Sequence, residues 1–468
     1  MSKITNLNDF LSKLEAIVNI DSGTVNTQGV TKVALTLQSF YKEAGFYTEI
    51  VDLGPSVGNG LFVTNCKDAD SYDVLLVGHM DTVFKEGEAL KRPFKVVGNK
   101  AFGPGVFDMK DGDLIILWAL SKLDPEQLKK VKIAICFNPD EETGSTKSSA
   151  WIDDIAKKSR YALICEGQSE LGAFTSQRKG ISHIDIKLKG RGAHAGACPE
   201  KGRSAINAMA NCIQRINALA NENVTVNFGV IQGGLIANAI AEDCFARIDV
   251  RFWTSKQCDE FFAKFKKEFE TPFGQDIKAN YDVLLINPAM EEFEKTEELK
   301  QKIAAVAKKL SIKTTFVRSG AVSDGNHISQ TKTPVLDGFG GIGGDAHTES
   351  EWLDLDTVDK NGKRGTNGRI AALSNWLNNF DINSYTETND ALGNLENVKA
   401  KFNRLRTALN DGTLNNKDYA TASALGFNLR TILAGNIGSS EDASTSDNAD
   451  DNTVDSSGNQ PTDAASII

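Results

Sequence analysis

The segment Asp73-Val74-Leu75-Leu76-Val77-Gly78-His79-Met80-Asp81-Thr82-Val83 constrains what this chain can fold into more than any other. An apolar run of strand length ends in a glycine, and a histidine and an aspartate two residues apart follow at once. Alternate residues of an extended segment point to the same side, so His79 and Asp81 share one face at a rigid strand end. A metal can bind one ring nitrogen of His79 while Asp81 takes the N–H of the other, fixing tautomer and ring orientation. The plain alternative is a buried strand leading into an aspartate turn, and this segment alone does not separate the two.

The rest of the chain narrows the choice. At 468 residues it is too long for one ordinary core, so two or three domains are expected. Hydrophobic residues at 40% and charged residues at 24% have the balance of a soluble globular protein. No apolar run approaches the roughly 20 residues of a membrane span, and the opening residues lack the apolar core of a signal peptide. A net charge of −10 argues against a nucleic-acid partner. The seven cysteines (66, 136, 165, 198, 212, 244 and 258) are scattered without a CxxC pair. An odd, dispersed set reads as reduced, mostly buried thiols of a cytoplasmic protein, and makes a thiolate zinc site improbable.

Helix-like and strand-like stretches alternate in the first part. Leu11, Leu14, Ile17 and Val18 carry helical spacing, as do Val33, Leu37, Phe40 and Tyr41. Val74–Val77, Ile133–Phe137 and Ala162–Cys165 are apolar runs of the kind found in buried parallel strands. Helices between such strands predict an α/β, doubly wound, mostly parallel sheet with ligands at the carboxyl ends of its strands. From about Gly180 the texture changes. Ile184, Ile186 and Leu188 alternate with polar residues, and helix-like stretches at Ala205–Leu219 and Lys256–Glu270 flank strands at Val224–Val230 and Cys244–Phe252. This predicts an inserted α+β domain (180–289) within a catalytic domain formed by 1–179 and 290–380, to which Pro334-Val335-Leu336 returns as a strand. Beyond it, Leu395, Val398, Phe402, Leu405 and Leu409 predict a helical extension over 381–437. Residues 438–468 hold seven acidic and no basic residues, and are expected to be a disordered acidic tail.

Four more segments place metal-type ligands beside glycine at or after an apolar run. They are Gly103–Gly112 with Asp108, Phe137–Ser145 with Glu141 and Glu142, Leu163–Gly167 with Glu166, and Gly343–Glu349 with His347. Singly, each has an ordinary reading as turn, cap or solvated charge. Together they do not, because carboxylates converging on one sheet edge need cations to offset their repulsion. Two histidines and three carboxylates suffice for two adjacent zinc ions if one carboxylate bridges them.

In this order, the five segments resemble the dinuclear zinc metallopeptidase family that includes glutamate carboxypeptidase, aminoacylase, acetylornithine deacetylase and succinyl-diaminopimelate desuccinylase. The likeness runs from near the N-terminus to about Phe380 and is closest to glutamate carboxypeptidase around His79–Gly87 and Phe94–Gly112. It implies that Asp108 bridges two Zn2+ ions per chain, that His79 and Glu166 hold one and Glu142 and His347 the other, that Asp81 stands behind His79, and that Glu141 is the general base. The same ligands accept Co2+ or Mn2+. It also implies a cis peptide bond after Asp108, and an inserted domain that serves as lid and dimerisation surface of a homodimer.

Gly190–Gly196 matches the segment whose histidine, here His194, supports the oxyanion in the partner's site. Asn238 and Arg251 fall where relatives grip the substrate, although Arg251 on a strand can equally be an exposed sheet residue. Ser323-Asp324-Gly325 resembles a turn near the substrate, His183 is expected on the wet face of its strand, and His327 away from the pocket. Phe107 and Met109 depart from the family pattern, which usually has smaller or polar residues there. The expected activity is hydrolysis of an amide bond in a small peptide or N-acyl amino acid, with a glutamate-type carboxypeptidase first. A deacylase, desuccinylase, aminoacylase or dipeptidase comes second, and a non-catalytic scaffold working through the tail is the rival from another class.

Overall fold

The computed structural model describes residues 4–358, apart from 124, 169–172 and 310–312, together with residue 404. The chain divides into two units, Met1–Thr366 and Asn367–Ile468, and residues 4–358 fall in the first. The expected helical extension and acidic tail lie outside the described residues, but for residue 404.

Helix Leu7–Val18 starts after Asn6, whose side chain accepts the N–H groups of Asn8 and Asp9. Its apolar residues recur at helical spacing, so Phe10, Leu14, Ile17 and Val18 are buried on one stripe. Helix Thr27–Glu43 begins in the same way from Asn26 and buries Val30, Val33, Leu37 and Tyr41. With helix Lys110–Ser121 they cover one face of an eight-stranded sheet, where Leu61, Val63, Ile133, Ile135 and Phe137 meet them. Alternate residues of the same strands, Leu75, Val77, Ala134 and Cys136, face Ile152, Ala156, Ile328 and Val335 on the other side. The run Ile133–Asn138 is buried at every position, which is why it reads as continuous rather than alternating.

The sheet order is Tyr47–Val51, Gly60–Thr64, Ile133–Asn138, Val74–His79, Ala162–Ile164, Val335–Asp337, Ala173–Arg178 and Thr315–Ser319. The pairs at its centre are parallel, with His79 opposite Asn138 and Val77 opposite Ile164. Val335–Asp337 joins Ala162–Ile164 in parallel, as its sequence leads one to expect. The architecture is therefore α/β with a large, mostly parallel sheet.

A second sheet comes from residues between these strands in sequence, in the order Thr225–Gly233, Asp243–Phe252, Gly180–Lys189 and Lys278–Asn287, all antiparallel. Helices Ala205–Asn217 and Ser255–Glu270 cover one of its faces through Met209, Cys212, Phe261 and Phe265. Sequence reading missed Lys278–Asn287 because its exposed apolar residues, Val283, Leu284 and Ile286, break the alternation of a half-buried strand. It also missed Tyr47–Val51, an edge strand on which no residue is fully buried.

Gly112 lets helix Lys110–Ser121 approach the strand end that leads to Glu166. A Cβ there would stand 2.1 Å from the Cys165 carbonyl oxygen, which is backbone and cannot swing aside. Gly112→Ala is expected to destabilise the fold by about 1–3 kcal/mol, read as a lower urea midpoint. An unchanged midpoint would mean that the helix shifts without cost.

Candidate metal centre and catalytic cleft

Three parallel strands bring their carboxyl ends to one edge. Val74–His79 delivers His79, Ile133–Asn138 leads through Pro139 and Asp140 to Glu141 and Glu142, and Ala162–Ile164 leads through Cys165 to Glu166. Asp108 precedes helix Lys110–Ser121, and the Asp108–Met109 peptide bond is cis. His347 comes from the loop after Gly343–Gly344 and adopts a left-handed φ of 66°.

These side chains meet around Asp108. Its Oδ1 lies 3.1 Å from Nε2 of His79, and Oε1 of Glu166 lies 3.5 Å from the same nitrogen. Its Oδ2 lies 3.1 Å from Nε2 of His347, and Oε2 of Glu142 lies 3.3 Å from that nitrogen. Each oxygen of one carboxylate thus faces its own histidine–glutamate pair. Ligand atoms bound tetrahedrally at 2.0–2.1 Å stand roughly 3.3 Å apart, so these spacings suit metal ligation. Among the described residues, the triples His79–Asp108–Glu142 and His79–Glu141–Glu166 each gather ligand atoms within 4.8 Å of one another. Oε1 of Glu142 is buried without a hydrogen-bond partner, as a donor atom awaiting a cation would be.

Electrostatics agree with that fit. Burial pushes the carboxyls of Glu141 and Glu166 well above the ordinary range, and mutual repulsion adds to it. Burial opposes the charge of His79, but Glu166, Asp108 and Asp81 raise it well above the usual imidazole value. Hydrogen bonds to Asp108 and Glu142 push His347 up to about 10. For Asp108, burial is outweighed by hydrogen bonds from both histidines, which hold it below the carboxylate range. Cation binding competes with protons for such donors, so the charge gathered here favours a metal.

Asp81 does more than sequence reading expects. Nδ1 of His79 lies 3.0 Å from the Asp81 carbonyl oxygen and 3.4 Å from its Oδ1. The carboxylate accepts the Glu141 and Glu142 amides, both at 3.1 Å, and the Thr24 hydroxyl at 2.7 Å. One residue therefore orients the histidine through its backbone and the glutamate pair through its side chain. Glu351, which sequence reading missed, plays the matching part for Asp108. It is 1% exposed and accepts the amides of Gly105, Phe107 and Asp108 at 3.0, 2.8 and 3.0 Å.

Residues 75–364 match the family model described as peptidase family M20/M25/M40. This chain belongs to that family. It is 28% identical over 363 residues to carboxypeptidase G2 of Pseudomonas sp. (strain RS-16), covering 75% of this chain and 86% of that protein. It is 28% identical over 253 residues to an acetylornithine deacetylase of Proteus mirabilis (strain HI4320), covering 51% of this chain and 60% of the deacetylase. Two solved structures share the fold. The aminopeptidase PepT of Bacillus cereus has a TM-score of 0.62 at 20% identity, covering 75% of this chain and 94% of that one. The YXEP protein of Bacillus subtilis, described as a dinuclear metal-binding peptidase of family M20, has a TM-score of 0.55 at 15% identity, covering 75% and 95%. The chain is an M20 hydrolase of the metallopeptidase and amidohydrolase type.

The M20 site opens into a cleft of about 770 Å³ that Arg178, His183, Arg251 and Asn287 also line. His183 lines the cleft with its side chain part-exposed, 3.1 Å from Asp249. Arg251 grips Asp249 with Nε and Nη2 at 2.8 and 3.0 Å, and donates from Nη1 to the Gly320 carbonyl at 3.3 Å. Buried Arg178, also missed from sequence, donates to Asp337 at 2.7 Å. Phe107 forms part of the cleft where Gly167 and Gly343 leave room for its ring, and Met109 is buried.

His194 and Asn238 do not line this cleft. Both are exposed and adjacent, through an Ala195 N–H to Asn238 carbonyl bond of 2.9 Å. His327 stays out of the cleft too, held at 2.6 Å from Asp153 and 3.0 Å from Asp324.

Glu351→Ala is expected to remove the support of three amides and lower metal affinity by about 10–100-fold, measured by titration against a competing chelator; unaltered affinity would assign Glu351 to folding alone. Burial opposes the charge of His327, but Asp153 and Asp324 push it up to about 9. A folded pKa above the unfolded value of about 6.5 stabilises fully below pH 6.5, and that contribution is lost as pH rises through 9. The stability gap between the unmodified protein and His327→Gln should therefore shrink across that window in pH-dependent thermal unfolding.

Proposed function

We propose that this M20 hydrolase is a glutamate-type carboxypeptidase that removes a C-terminal residue from a small peptide or N-acyl amino acid. The observation that carries the reading is one cleft lined both by the acids around Asp108 and by the cations Arg178 and Arg251. A scissile amide at the cluster and a substrate carboxylate at an arginine satisfy both kinds of lining. Similarity to carboxypeptidase G2 supports this class over its neighbours.

In this reading Asp108, His79, Glu166, Glu142 and His347 would hold two zinc ions. When bound, they supply Lewis-acid polarisation and a water whose pKa is lowered towards about 7. Glu141 then acts through its own carboxylate. It accepts the proton of the attacking water and delivers it to the leaving amine nitrogen. Arg251 is proposed to hold the substrate's carboxylate end, with Asn238, which lies outside this chain's own cleft, reaching it from a second copy of the chain.

The His194 Nδ1 accepts the amides of Gly196 and Ala197 at 3.2 and 3.0 Å, which leaves Nε2 as the N–H donor. That exposed donor suits oxyanion support in a second copy of the chain. A homodimer through the inserted domain, residues 180–289, is supported by exposed Leu284 and Ile286 on an outer strand and by Leu235, 98% exposed, near Asn238. No helix among the described residues is long and apolar enough to cross a membrane. The seven unpaired cysteines fit a cytoplasmic setting.

The second reading is a deacylase, favoured by the acetylornithine deacetylase relatives. A screen of zinc-loaded protein against C-terminal glutamyl peptides, N-acetylornithine, other N-acyl amino acids and dipeptides separates the two. Glu141→Ala is expected to keep its metal and lose about 10²–10⁴-fold in kcat. Near-normal turnover in that variant would refute the assignment of the base.

A further inference from the structure

Behind the glutamate pair lies a buried network that the mechanism above does not use. Asp324, 2% exposed, receives the Asn138 side-chain amide on both oxygens at 2.7 and 2.8 Å. It also accepts the Ser145 hydroxyl at 2.5 Å and faces Nε2 of His327 at 3.0 Å. The other ring nitrogen of His327 faces Asp153 at 2.6 Å, so both nitrogens meet carboxylates and both act as donors. Burial opposes ionisation of Asp324, but His327, Ser145 and Asn138 keep it below the ordinary carboxylate range, so the pair stays charged inside the protein.

The two residues that Asp324 grips are the two ends of one turn. Asn138 is the last residue of its strand, and Ser145 follows Gly144 at the point where the chain reverses. Gly144 and Ser145 take left-handed φ values of 84° and 53°, and at Ser145 that conformation needs outside support because the residue is not glycine. Asn138 also donates to the Ser145 hydroxyl at 2.9 Å, which closes a three-membered ring of side chains across the base of the turn. Between these ends stand Glu141 and Glu142, whose amides Asp81 holds from the opposite side. Asp324, His327 and Asp153 do not line the cleft.

We propose that Asp324 and His327 are positioning residues, which fix the Glu141–Glu142 turn through Asn138 and Ser145 and thereby set where the base stands relative to the metal ligands. The proposal rests on the functional reading of that turn. Its physical logic is that a displacement of about 1 Å at a reacting group costs on the order of 10²-fold in rate, whereas ground-state binding at a distant wall is little affected. His327 is the counter-charge that lets Asp324 accept so many hydrogen bonds without a solvent partner.

The test uses the full chain, loaded with zinc, with Ser145→Ala, Asp324→Asn, His327→Gln and His327→Ala. Ser145→Ala removes the Ser145 bonds to Asp324 and Asn138, keeps the Asp324–His327 pair, and serves if Asp324→Asn does not fold. Both are expected to lower kcat by about tenfold or more, with KM within about threefold and bound zinc per chain unchanged. Amide hydrogen exchange should rise within residues 138–145 and stay unchanged in helix Lys110–Ser121. His327→Gln, which keeps a donor towards Asp324, should retain more kcat than His327→Ala. Unchanged kcat and unchanged exchange in Ser145→Ala would overturn the proposal. So would an exchange increase spread evenly over the domain, which marks general destabilisation. If the unmodified protein hydrolyses no amide, the carboxypeptidase reading fails by itself, and the exchange pattern still decides the positioning role.

Discussion

Carboxylates crowded at one sheet edge repel each other, and much of the site's architecture answers that repulsion. Three parallel strands that end together lead to His79, to the neighbours Glu141 and Glu142 and to Glu166. Asp108 joins them from the segment before helix Lys110–Ser121, with apolar packing on both sheet faces. Burial raises the Glu141 and Glu166 carboxyls, neighbouring acids raise His79, and the two histidines hold Asp108 down. The energetic case for metal therefore comes from the protein's own charges. It is independent of the likeness to other M20 proteins, which reaches the same place by another route.

A second pattern concerns the acids that face away from the cleft. Asp81 accepts the amides of the glutamate pair, Glu351 accepts the amides around Asp108, and Asp324 ties the ends of the glutamate turn. In each case a buried carboxylate satisfies backbone or side-chain donors of a loop that carries a functional group. Loops left to themselves are mobile, and charge-assisted hydrogen bonds are among the stronger restraints available to hold them. None of these three acids lines the cleft.

How much of this was legible beforehand differs residue by residue. His79, Asp108, Glu141, Glu142, Glu166 and His347 stood out because ligand-type residues after apolar runs are uncomfortable without a partner. The mostly parallel sheet was legible because Ile133–Phe137 and Val74–Val77 are continuous apolar runs. Glu351 and Arg178 were not legible, since an isolated acid in a polar loop and an arginine on a strand look like ordinary surface residues. Strand Lys278–Asn287 escaped notice because its exposed apolar residues defeat the alternation rule.

The sequence by itself determined the residue chemistry and the local geometry: which residues are ligand-type, that His79 and Asp81 lie two apart, that Glu141 and Glu142 are neighbours, and that apolar strands precede them. These depend on backbone periodicity, which is set within a few residues. Only the tertiary structure decided that the two oxygens of Asp108 face different histidine–glutamate pairs, that Asp81 holds His79 through its carbonyl and the glutamate turn through its carboxylate, and that His194 and Asn238 stand outside this chain's own cleft. Those facts join residues as far apart as Asp108 and His347. Contacts of that range follow from how sheets and helices pack, and local spacing carries no information about them.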